Sequence, residues 1–147
     1  MENISRELES LIVSVESNLE NISEKDASTN PVSGEWSKKE IIGHLIDSAA
    51  NNHQRFIRAQ QVMEFTFPGY QQEDWVRLQM YKSSSWKQLF ELWRQYNLHL
   101  AHIIKYIPAE KLGIECGIGA NEKVTLEFLI KDYLVHLRNH LRQLDVL

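Results

Sequence analysis

Residues 85–108 read SWKQLFELWRQYNLHLAHIIKYIP. Trp86, Leu89, Phe90, Trp93, Tyr96, Leu100, Ile103, Ile104 and Ile107 recur at three- and four-residue intervals. At ~100° per residue this spacing gathers them on one side of a helix. Ser85 and Gln88 have the spacing of a capping box at its start, and Pro108 stops it. A helix with so wide an apolar face needs partners of the same kind, and finding them decides the fold.

Upstream, Ile4, Leu8, Leu11, Ile12, Val15, Leu19 and Ile22 predict a first helix with a matching stripe. The turn-rich stretch SEKDASTNPVSGE (23–35) follows it. Ser37 and Glu40 then mark a second capping box, with Trp36 and Ile41 placed as its hydrophobic staple. This predicts a second helix from Lys38 to about Val62, striped by Ile41, Leu45, Ala49, Asn52, Phe56 and Ala59. Met63 to Ser83 has no sustained helical period and reads as a long crossover. Downstream of the quoted helix, the glycine-containing loop LGIECGIGANEK (112–123) leads to Thr125 as N-cap of a further helix. Its stripe runs through Leu126, Leu129, Ile130, Tyr133, Leu137, Leu141 and Leu144. Four stripes satisfy one another by packing, so the expected fold is all-α. It is a four-helix bundle in a single domain, 1–147, whose crossover between the second and third helices supplies one step that is not antiparallel.

Composition agrees. The 147 residues are 43% hydrophobic, enough for a continuous core. The net charge of −4 comes from interspersed acids and bases, without a basic run to neutralise phosphates, so nucleic acid is not an expected partner. The N-terminal MENISRELES lacks the layout of a signal peptide, and no segment approaches the ~18 apolar residues of a membrane helix. A soluble, cytoplasmic protein with no membrane partner is expected. The single Cys116 offers neither an intramolecular disulfide nor a thiolate set for zinc, so any metal must be held by histidine or carboxylate.

Six histidines are available. His99 and His102 lie away from the third helix's stripe, and His53 faces away from His44, so these three read as solvated. His140 falls near the centre of the fourth helix's stripe and His136 on its shoulder, one turn earlier. Side chains at i and i+4 share a face with Cβ atoms about 5–6 Å apart, from which two imidazoles can converge on one ion. The His-Leu-Arg-Asn-His stretch lacks the glutamate of a zincin motif. By itself it fits core or surface histidines paired with polar neighbours better than it fits a metal site. His44 lies at the edge of the second helix's stripe, with Ser48, Asn51 and Arg55 at helical spacing from it. That polar strip suits either a cavity wall or a hydrated flank.

Two stretches, GEWSKKEIIGHLIDS (34–48) and YLVHLRNHLRQL (133–144), together resemble the DinB/YfiT-like superfamily of four-helix-bundle metalloproteins, and the resemblance spans almost the whole chain. It implies a divalent metal held by one histidine of the second helix and the HxxxH pair of the last, here His44, His136 and His140. Where many relatives carry a second histidine just before the last ligand, this chain has Asn139. Three neutral imidazoles leave at least one position for water or substrate. Zinc, nickel, iron and cobalt all suit such donors. Relatives include transferases and isomerases that use a low-molecular-weight thiol such as bacillithiol or mycothiol. The implied function is therefore a metal-dependent, thiol-dependent S-transferase-like enzyme acting on a small-molecule substrate. The alternatives are a metal-dependent hydrolase and a non-catalytic, stress-related metal-binding bundle. The resemblance, together with the wide apolar surfaces of the first and third helices, also suggests a homodimer.

Three further residues are candidates for support or substrate binding. Asp47, three residues after His44, could orient a ligand imidazole, although the wheel turns it outward. Asn51 belongs to the polar strip, and Arg55 could meet an anionic substrate at the cavity edge. Trp36, Trp86 and Trp93 are expected in the core, Cys116 as a free structural thiol, and Tyr70 and Trp75 of the crossover over the pocket.

Overall fold

The computed structural model describes residues 1–120 and 122–147. In chain order the helices are α1 (Glu2–Glu20), α2 (Glu24–Ser28), α3 (Lys38–Ala59), α4 (Gln72–Leu78), α5 (Trp86–Lys105) and α6 (Leu126–Gln143), and the strands are β1 (Glu64–Phe67), β2 (Glu115–Ile118) and β3 (Val124–Thr125).

Three of the four long helices begin where their caps dictate. The Ser37 hydroxyl accepts from the Glu40 N–H, and the Glu40 carboxylate accepts from the Ser37 N–H at 2.8 Å, a complete capping box. Ser85 receives the Gln88 N–H and Thr125 the Phe128 N–H. Each such bond satisfies one of the orphan donors of a first helical turn. The stripes then close on one another as a four-helix bundle, with α1 packed along α5, α5 along α3 and α3 along α6. Leu8, Ile12, Val15, Trp93, Leu100, Ile104, Ile130 and Leu137 are among the buried side chains. Some of the polar groups caught in this core find partners: Ser5 donates to the Ala101 carbonyl at 2.8 Å, and the Tyr133 hydroxyl donates to Asn97 Oδ1 at 2.5 Å, whereas the Trp93 indole N–H is buried without one.

Elsewhere the structure departs from the sequence expectation. The turn-rich stretch contains the short helix α2, capped by Ser23 and held because Ala27 is fully buried and Glu24 both pairs with Lys39 and accepts from the Trp86 N–H. Helix α3 ends at Ala59, short of Val62, because the chain turns there into β1, leaving Val62 and Met63 exposed. The crossover is not irregular: it holds β1, α4 and a 3₁₀ turn over Tyr81–Ser83. The stretch expected as a loop over 112–123 holds β2, which pairs in parallel with β1 (Phe65 opposite Cys116) and antiparallel with β3. Asn121 of that stretch lies outside the described residues. These strands bury little more than Phe65 and Cys116, too few positions to produce a visible alternation. No helix of the described residues is long and apolar enough to cross a membrane.

Candidate metal centre

The α3–α6 contact places His44 opposite His136 and His140. Consecutive turns of α6 stack the last two, with ring centroids 4.6 Å apart, while His44 lies 5.1 Å from one and 4.8 Å from the other. One nitrogen from each ring falls within 4.8 Å of the other two. The Nε2 atoms of His44 and His136 are 3.1 Å apart. Two imidazole nitrogens on a tetrahedral ion, with bonds of about 2.0–2.1 Å, are separated by about 3.3 Å. The donor types therefore suit a divalent cation, and the His44–His136 pair already has the separation of two ligands on one ion, while the three nitrogens together spread over up to 4.8 Å.

The protonation states fit as well. His44 is 1% exposed. Burial, reinforced by the His136 and His140 rings, pushes its pKa down to about 3, and burial together with His140 pushes His136 to about 4. Both are neutral at pH 7, as a metal ligand must be. On His140, Nδ1 faces the Gln143 carboxamide oxygen at 2.9 Å, which leaves Nε2 for the cluster. The Nδ1 atoms of His44 and His136 are buried without a partner.

Around the cluster, Trp36 lies against the His44 ring at 5.2 Å and donates its indole N–H to Glu73. It is half-buried at the site, unlike Trp86 and Trp93, which are in the core as expected. Asp47 does not face outward as the wheel suggested: it is 2% exposed, because the crossover lays Tyr81 and Gln79 over that side of α3, and both donate to its Oδ1 at 2.6 Å. Burial raises the Asp47 pKa. Its hydrogen-bond partners are thus a tyrosine and an amide of the crossover and not an imidazole. The Tyr81 ring occupies the space beside Gly43, where a Cβ would meet it at 2.1 Å. A glycine in mid-helix next to His44 was the available sign of that close approach.

His136 also lines a cavity of about 130 Å³, shared with Ser48, Asn52, Arg55, Tyr70, Tyr133 and, at its rim, the exposed Asp132. Ser48 and Arg55 of the anticipated polar strip are in this wall. Asn51 is not: it donates to the Asp47 carbonyl of its own helix and borders a larger outer groove, of about 620 Å³, with Tyr70 and Trp75. Asn52, which its position had assigned to the apolar stripe, takes the inner place. A lone amide in an otherwise apolar stripe was the signal. His99 and His102 are exposed as expected, and His53 is partly buried against Tyr96 and His99. Cys116 is buried and its thiol pushed up, the state of an inert structural thiol.

The profile of the DinB superfamily matches residues 7–144. The chain belongs to the DinB superfamily. Among solved structures, this DinB-superfamily chain is similar to YfiT from Bacillus subtilis, described as a probable metal-dependent hydrolase with an unusual four-helix bundle topology (TM-score 0.83, 18% identity, 94% of this chain and 79% of that one). It is also similar to a mycothiol-dependent maleylpyruvate isomerase (TM-score 0.67, 12% identity, 92% of this chain), of whose length it spans 57%. At these identities the likeness establishes the shared fold. No curated protein matches the chain.

Proposed function

We propose that this DinB-superfamily member is a divalent-metal-dependent enzyme in which His44, His136 and His140 hold the ion and a small thiol attacks an electrophilic substrate. The observation that carries the reading is the convergence of three imidazole nitrogens within 4.8 Å of one another, with no carboxylate in the group among the described residues. A divalent ion held there supplies a Lewis acid that lowers the pKa of a thiol or water reaching its open position. The protein's own contribution is to keep two of the rings neutral by burial, to fix His140 through Gln143, and to shield one side of the cluster with the Trp36 ring. A thiolate is a nucleophile without further help, so a cluster lacking a carboxylate suits thiol chemistry.

Hydrolysis is the second reading, and Asp132 favours it. One turn before His136 and lining the same cavity, this carboxylate could serve as general base for water.

The test begins with metal analysis of protein purified without a histidine tag, where about one divalent ion per chain is expected. His44→Ala or His140→Ala should weaken binding by about 100-fold or more, corresponding to roughly 3 kcal/mol, and His102→Ala should leave it unchanged. Equal retention in all three variants would remove the assignment. A panel of thiols with an electrophile, run beside esters and amides, then separates the reactions. Metal-dependent turnover of esters or amides alone selects hydrolysis, and no metal-dependent rate in either panel selects a binding bundle.

A further inference from the structure

Arg55 is a half-buried charge that pairs with no opposite charge among the described residues. It projects from α3 into the cavity that His136 also lines, and no carboxylate pairs with it among the described residues: the ion pairs of arginine there engage Arg6, Arg77, Arg94 and Arg138. Its Nε is buried with no hydrogen-bond partner. Nη1 reaches only the neutral Asn52 Oδ1, at 3.4 Å, and the guanidinium carbon stands 5.6 Å from the centre of the Phe67 ring. Asp132 lines the same cavity, yet makes no ion pair with it. Burial makes the charge costly to keep. A half-buried, unpaired guanidinium is costly in the free protein and becomes favourable once an anion enters.

We propose that this cavity is a carboxylate subsite, with the Arg55 guanidinium as its anion-binding group. The planar fork of an arginine matches a carboxylate with two parallel hydrogen bonds. Ser48 and Tyr70 line the same space, and their hydroxyls can donate to whatever oxygen remains, while the Asn52 amide already donates to Ser48. One cation suits a monoanionic group better than a phosphate dianion. The volume of about 130 Å³ equals roughly four waters at about 30 Å³ each, room for a carboxylate and a few carbons. Tyr70 also borders the outer groove with Phe67, Trp75 and Leu78, an apolar wall against which the remainder of a larger acid can lie. As the carboxylate end of an electrophilic substrate, this ligand rests on the metal reading above. As an anion site it does not, since Arg55 is no member of the histidine cluster.

The test uses the metal-free and the metal-loaded full-length chain, each titrated with pyruvate and succinate, with their neutral counterparts methyl pyruvate and succinamide, and with inorganic phosphate. Melting temperature and calorimetric binding are the readouts. Both carboxylates should stabilise the metal-free protein and the neutral compounds should not. Arg55→Met, which keeps the apolar stem, should weaken carboxylate binding about tenfold or more, as expected for a hydrogen bond to a charged group, while melting at or above the parent temperature. Arg55→Lys should retain part of the affinity. Equal carboxylate response in the parent and Arg55→Met, no response in the parent, or a response to phosphate exceeding that to carboxylate would each overturn the proposal. Failure of Arg55→Met to fold would overturn it too, since the guanidinium would then serve the fold. The two readings fail separately. Carboxylates that bind only the metal-loaded chain and ignore Arg55→Met would remove the subsite and spare the metal, whereas a chain that binds no metal yet holds carboxylates through Arg55 would do the reverse.

Discussion

His140 and His102 show how much one residue's position on a helix decides. Both stand on helices with strong apolar stripes, but His140 lies on its stripe and reaches the cluster, whereas His102 is off it and exposed. The sequence made this distinction legible because a helix wheel is a local construction. The same wheel misplaced Asp47, since it sees the helix's own stripe and not the crossover that later covers the other side. It also left His136 and Asn52 without their cavity, which exists only once α3 and α6 meet. The depressed pKa values carry a consequence for acid stability. In the unfolded chain an imidazole titrates near 6.5, but His44 does so at about 3 when folded. As pH falls through about 6.5 the unfolded state takes up the proton first, so stability present above that pH is progressively lost. For His44 alone the loss between pH 7 and pH 5 in metal-free protein should be about 2 kcal/mol, with His136 adding to it. Asp47, its pKa raised by burial, takes up its proton earlier in the folded state and so opposes the fall. Urea titrations at several pH values should show the slope in the parent and a flatter one in His44→Leu. An equal slope would mean the rings are not held neutral by the fold.

At the scale of elements, the long helices were readable because caps and 3.6-residue stripes are properties of contiguous sequence. The sheet was not, since β1 finds its partner only by register with residues from another part of the chain, Glu64 opposite Glu115. The crossover's role is visible at the interlock of Gly43 with Tyr81. With the ring already where a Cβ would stand, Gly43→Ala must displace Tyr81 and with it the hydroxyl that donates to Asp47. Overpacking of this kind costs about 1–3 kcal/mol, even though alanine is the better helix former. Chemical denaturation should register that loss, and Gly43→Ala/Tyr81→Leu should recover part of it. An alanine variant as stable as the parent would mean that the ring moves aside freely.

Taken whole, the bundle has a core that owes nothing to the histidines: Leu8, Trp93, Ile104 and Ile130 bury themselves between helices without reference to the cluster. Chelation should therefore leave far-UV helicity essentially unchanged, in contrast to domains whose only core is a metal. Collapse of the helical signal would contradict this. The stripes of α1 and α5, whose width suggested a dimer, are largely taken up by each other, although Val13 and Leu92 remain exposed. One feature of the fold also bears on how fast it forms and comes apart. Strand β1 pairs in parallel with β2 across the whole of α4 and α5, a closure whose entropic cost must be met before its contacts contribute. The helices, with their local contacts, can assemble first, leaving this strand pair for the far side of the folding barrier. Phe65→Ala, truncating a buried side chain of β1 at a cost of roughly 3 kcal/mol, should then hardly change the refolding rate in stopped-flow experiments. Instead it should speed unfolding by about 100-fold. The sheet that joins the crossover to the chain's second half would be the clasp that sets the lifetime of the native state.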